Sequence, residues 1–169
     1  MNIYEKYIKS AYDMKAVNAR YFSIDEIVFD PRTILKCRWG CDDFGKLHTC
    51  PSASRSLSVE EYIRIFKYYK SGIIIHCNDK KSGQKISLEI EKQAFLDGFH
   101  FAMSLSDCAI CEECKGKEGK PCIAPKLARP AFHSIGVDVF KTVSKMGLPL
   151  YPLKEEKDIQ NWYSAVFIE

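Results

Sequence analysis

The sequence predicts an α+β domain: a small sheet with helices packed on one face of it, and two long cysteine-rich metal-binding loops. Three observations point there. Helix-periodic and strand-like segments are mixed along the chain without a regular βαβ order. Seven of the eight cysteines fall in two polar, aperiodic stretches. The composition, 46% hydrophobic and 28% charged, is that of an ordinary globular protein and excludes disorder, collagen and coiled coil for the whole chain.

The elements follow from periodicity and capping. Tyr4, Tyr7, Ile8 and Ala11 keep helical spacing, so the first dozen residues read as an amphipathic helix. Ile24 to Asp30 reads as a short strand, and the segment from Cys37 to Ser56 as an ordered loop with Gly40 and Gly45. Ser58 with Glu61 forms a capping box, and Val59, Tyr62, Ile63, Phe66 and Tyr69 then line one helical face. Gly72 to Cys77 reads as a buried strand and Asn78 to Gly83 as a turn. A long helix is expected from Gln84 to Leu105, with Gly98 inside it at a cost of roughly 1 kcal/mol against Ala. Cys108 to Pro130 is the second cysteine loop. Val137 to Met146 reads as a helix, with Asp138 in its first turn and Gly147 just past its end. Leu148 to Leu153 and Trp162 to Ile168 read as two final strands.

The 169 residues read as a single domain, 1–169. A chain of this length buries roughly 70% of its unfolded surface. It does not need metal merely to fold, so its cysteines need another explanation. The start, from Met1 to Ser10, has no apolar signal core, and the longest apolar runs, such as Ile73 to Ile75, are far below spanning length. The expected location is cytoplasmic, with no membrane association. Thiols there are normally reduced, so clustered cysteines read as metal ligands rather than a disulfide framework. The formal charge of +3 is too small and too evenly spread to argue for nucleic acid. Ligation deprotonates cysteine, and four-thiolate clusters would erase the apparent basicity.

The second loop carries the stronger signal. Cys108, Cys111 and Cys114 are separated by two residues each, with Cys122 beyond. Such spacing lets a tight loop wrap one cluster, and it is the run that opens a bacterial ferredoxin site. Cys122 follows at a longer gap than in that run, with Pro121 before it rather than after it. The first loop offers Cys37, Cys41 and Cys50, the last followed by Pro51. Structural zinc is the competing reading, but zinc sites pair two short knuckles, and a triple run wastes a ligand in that scheme. Spacing and ligand softness favour [4Fe–4S] clusters, one or two, with zinc as the alternative. Cys77 ends an apolar strand and is expected to pack as a small hydrophobe. His48 is a further possible ligand by proximity, whereas His76, His100 and His133 read as structural. Arg129 is a candidate for neutralising an anionic cluster, against a plain ion pair before Pro130.

Cys37, Gly40-Cys41, Phe44-Gly45-Lys46, Cys50-Pro51, Cys111-Glu112-Glu113-Cys114, Gly119-Lys120-Pro121-Cys122, Ala128-Arg129-Pro130 and Gly136 to Phe140 together resemble a family of predicted metal-binding proteins seen mainly in anaerobic prokaryotes. The resemblance runs from about Asp30 to the C-terminus. It implies metal or iron–sulfur binding and brings no established reaction. The expected function is single-electron transfer with a redox partner protein, in an anaerobic metabolism. A cluster-dependent enzyme or metal-handling protein with an open iron, and a zinc-stabilised interaction module, are the alternatives. No Ser/His/Asp pattern, phosphate loop or dinucleotide fingerprint supports a hydrolase or a nucleotide enzyme. Lys115, Lys117 and Lys120 lie beside Glu112 and Glu113, so a partner surface there has mixed charge.

Overall fold

A computed structural model describes residues 3–155 and 157–169. Met1 and Asn2, part of the expected first helix, lie outside the described residues. The described chain runs α1 (Ile3–Asp13), β1 (Asn18–Ser23), α2 (Thr33–Gly40), α3 (Val59–Phe66), β2 (Ser71–Cys77), α4 (Lys80–Leu96), β3 (Met103–Leu105), α5 (Val139–Lys145) and β4 (Trp162–Phe167). Short 3-10 turns fall at Ile24–Glu26, Lys115–Glu118 and Phe132–Ile135. The fold is α+β. All strand pairs are antiparallel, in the order β1-β2-β4-β3, with Ile74 opposite both Arg20 and Ala165.

The sheet is covered on both faces, not one. Side chains alternate along a strand, so Ile74 enters one core with Phe22, Phe66, Ala165 and Phe167. Ile73 and Ile75 enter the other, against Tyr7 and Ala11 of α1 and Ile86, Ile90 and Ala94 of α4. The first core is closed by Phe66 of α3 and by Val139 and Val143 of α5. The run Ile73-Ile74-Ile75 requires this, because β2 is buried at every residue. Gly72 sits opposite Phe22 in the register. A Cβ there would lie 2.6 Å from the Phe22 ring and against the Val166 carbonyl.

Several predicted boundaries shift. Ile24–Asp30 is not a strand. Glu26 accepts the Ser23 N–H at 3.0 Å and an Arg20 bond at 2.9 Å, closing a turn, and Phe29 makes only a single bridge to Val137. The edge strand is the preceding Asn18–Ser23. The first cysteine stretch opens inside α2 rather than in a loop. α4 begins at Lys80, not after a turn ending at Gly83, because Asp79 accepts the Ser82 N–H at 2.8 Å. It stops at Leu96; Gly98, at φ +101°, takes the left-handed conformation that reverses the chain, and Met103–Leu105 becomes strand β3. Leu148–Leu153 is not a strand. Pro149 and Pro152 have no N–H for a ladder, and the segment is held instead by Tyr163 Oη, which donates to the Pro149 carbonyl at 2.6 Å. Among the described residues no helix is long and apolar enough to cross a membrane.

Candidate metal centre

The first cysteine group is presented by the end of α2. Cys37 lies in its last turns and Cys41 directly follows it, one helical turn on, so the two share a face. Cys41 turns extended, at φ −121° and ψ 118°, and Phe44 N–H closes back on its carbonyl at 3.1 Å. The chain then returns through Leu47, whose carbonyl accepts the Cys50 N–H at 3.0 Å, and the Cys50 thiol donates to the Asp43 carbonyl at 3.4 Å. α2 packs against the Phe132–Ile135 turn, which brings His133 to the same place. The result is a cavity of about 260 Å³ walled by Cys37, Cys41, Cys50, Cys108, Asp107 and His133, among others. Burial pushes the Cys37 thiol up to about 11, reinforced by the negative charges of Cys41, Cys50 and Asp107.

The second group is held by its loop. Burial raises the Cys108 thiol above its ordinary value; hydrogen bonding by Gln84 counters this, and the charges of Cys114, Cys122 and Cys111 add to it. The Cys108 thiol therefore feels the other three cysteines of its loop. Gln84, fully buried on α4, ties both ends of this loop: its Oε1 accepts the Ala109 N–H at 2.6 Å, and its Nε2 donates to the Leu127 carbonyl at 2.9 Å. Ser106 N–H donates to the Pro130 carbonyl at 3.1 Å. Arg129 gives Glu91 a bidentate pair, with Nε at 2.9 Å, and Ser104 donates to the same carboxylate through N–H and Oγ, each at 2.6 Å. The partners of Arg129 are thus Glu91 and the carbonyls of Lys126 and Ala128. Burial alone would raise the Glu91 carboxyl, but the bonds from Arg129 and Ser104 outweigh it and hold it below its ordinary value.

The two loops meet. Lys117 Nζ pairs with Asp43 at 2.6 Å, and Gly116 lies so close to the Lys46 carbonyl that a Cβ would overlap it. The Asp43 bond raises the Lys117 ammonium, and the charges of Cys114 and Cys41 add to the rise, so this cation stands between a cysteine of each group.

The remaining candidates lie apart. Cys77 ends β2 opposite Trp162, fully buried in the α1–α4 core, its thiol pushed up to about 11 by burial. His48 lines a different cavity, of about 330 Å³, together with Cys50, Arg55 and Tyr62. Its Nε2 is buried without a partner, and burial, then Arg55, lowers its pKa. His76 stacks on Tyr163 at 4.8 Å and bonds Asn161 at 2.8 Å. Gln84, Glu91 and Asp107 escape sequence reasoning. The signal for Gln84 is a polar residue on the buried stripe of α4, and for Asp107 its place directly before Cys108.

Among the described residues no group of three or more His, Cys, Asp or Glu stands ready as a site for a metal ion. The donors gathered in the two groups are predominantly thiols, which suit zinc and iron–sulfur clusters and not hard cations. The fold is α+β with two cysteine groups on segments that meet, a candidate class of cysteine-rich metal-binding protein. The chain belongs to the family described as predicted metal-binding protein (DUF2284), which matches residues 20–168. No curated protein and no solved structure matches it.

Proposed function

We propose that this chain is an iron–sulfur protein that holds one or two [4Fe–4S] clusters and passes single electrons to a partner protein. The observation that carries this reading is a single loop with four cysteines, Cys108, Cys111, Cys114 and Cys122, tied by Gln84 at Ala109 and Leu127. Cys37, Cys41 and Cys50 line a cavity beside it, which supports a second centre. A cluster held by thiolates supplies a one-electron couple whose potential follows charge, hydrogen bonding and exposure. The rest is the work of this chain's own residues. Gln84 fixes the Ala109 amide and the loop's exit, so the thiols keep their places between redox states. Lys117 supplies positive charge between the groups, which favours the added electron. Arg129 serves the centre through Glu91, by holding the exit of the loop. Trp39, in α2 two residues before Cys41, and Ile123, next to Cys122 in the second loop, are mostly exposed and offer apolar surface for a partner.

The test is anaerobic purification followed by iron and sulfide analysis, visible absorption and dithionite titration. Iron and sulfide in equal amounts, with a reversible paramagnetic signal on reduction, are expected. Zinc alone, or clusters that strong reductant leaves unchanged, would end the electron-transfer reading.

A further inference from the structure

We propose that the cavity between the first cysteine segment and α3 is a binding site for a small aromatic carboxylate. Arg55 takes the carboxylate, and the walls formed by Tyr62, Phe66 and Tyr69 take the ring. The site goes beyond the iron–sulfur reading above and does not depend on it.

The cavity holds about 330 Å³, and small-molecule sites run from roughly 300 to 1,000 Å³. Its walls are mainly apolar and aromatic, among them Leu57, Tyr62, Phe66, Tyr69 and Met103. Phe66 and Tyr69 stack with ring centroids 5.6 Å apart. Tyr69 Oη donates to the Phe101 carbonyl at 2.6 Å, which fixes that ring. A flat aromatic ligand gains both buried area and ring contact against such walls.

The polar groups of the cavity favour an anion. No Asp or Glu lines it, and Arg55 is the one Lys or Arg on its walls. Among the described residues Arg55 makes no hydrogen bond, ion pair or ring contact, and Tyr62 Oη makes no hydrogen bond. By contrast, Arg20, Arg32 and Arg129 are each paired with a carboxylate of the chain. His48 Nε2, on the same walls, is also without a partner. Arg55 is exposed, so it stands where the cavity meets solvent and can take an anion without giving up a bond. Its backbone is set beforehand on both sides. The Ser56 N–H closes on the Ala53 carbonyl at 2.9 Å, and the Ser58 N–H donates to Glu61 at 3.0 Å. A planar guanidinium pairs with a carboxylate through two parallel N–H bonds, which selects this anion over a neutral amide.

The experiment titrates the full chain, purified anaerobically, with 2-naphthoate and separately with the neutral 2-naphthamide, by isothermal calorimetry. The wild type should bind naphthoate saturably, at one site per chain and about tenfold more tightly than naphthamide. Arg55→Gln should lose that preference, and Arg55→Lys should keep part of it. Leu57→Trp, which adds bulk to the cavity at a side chain 40% exposed, should weaken both probes. Circular dichroism checks that each variant is folded. A wild type without saturable naphthoate binding overturns the site. So does a naphthoate affinity that either Arg55→Gln or Leu57→Trp leaves unchanged. Iron and sulfide content, measured on the same samples, tests the cluster reading separately.

Discussion

Removing the Arg129 side chain tests how the second cysteine loop is anchored. Arg129 and Glu91 form a bidentate pair with side chains only 15% and 16% exposed. Truncating one member of such a pair leaves a buried charge uncompensated, which costs about 3–5 kcal/mol. Ser104 still donates two bonds to Glu91, so the lower end applies to Arg129→Ala, about 3 kcal/mol. For a chain of this length that corresponds to a fall in Tm of roughly 6–12 °C. The sign with pH is set by Glu91, whose carboxyl lies below its ordinary 4.5 in the folded protein. The wild-type contribution is complete above that value and is lost as pH falls through the depressed folded pKa. In the variant, burial acts on Glu91 unopposed by Arg129, so protonation relieves it. The stability gap should be widest near neutral pH and shrink as pH drops toward 4. Urea denaturation of wild type and variant across this range measures the gap. A gap below about 0.5 kcal/mol, or one that pH does not change, would refute the buried-pair account. Cluster absorption at low temperature should survive in the variant, because Arg129 acts through Glu91.

Replacing any one of Cys108, Cys111 or Cys114 with Ser should lower metal content and bleach the chromophore; full metal occupancy in all three single variants would refute a shared centre. Gln84→Leu strands the Ala109 N–H and the Leu127 carbonyl, so denaturation should show a loss of about 2–4 kcal/mol, with faster amide exchange at Ala109. Gly116→Ala drives a methyl group into the Lys46 carbonyl, and separating the loops should cost about 1–3 kcal/mol and reduce metal content. Lys117→Gln removes the cation between Cys114 and Cys41, so the reduction potential should become more negative by on the order of tens of millivolts, less at high salt.

Much of this protein is local and therefore legible in its sequence. The Ser58–Glu61 box starts α3, with the Glu61 N–H 3.2 Å from Ser58 Oγ, because both partners lie within one turn. Asp138 caps α5 for the same reason, accepting the Lys141 N–H at 3.0 Å. The run of isoleucines is enough to expect a buried strand. The two cysteine groups are visible from spacing alone.

The tertiary structure decided what depends on distant partners. Glycine at position 98 suits a helix interior poorly and a left-handed turn well, but only the pairing of Met103 with Phe167 makes the following residues a strand. Leu148 and Leu150 look like strand residues, yet they pack against the core without a ladder, since the prolines near them have no N–H. Which face of the sheet is covered depends on both cores, and sequence periodicity describes each element separately. The meeting of Lys117 with Asp43, the grip of Gln84 on residues 109 and 127, and the approach of Asp107 to Cys37 all join residues far apart in the chain. A pattern along one segment carries no information about such contacts, because they arise only when the whole chain has packed.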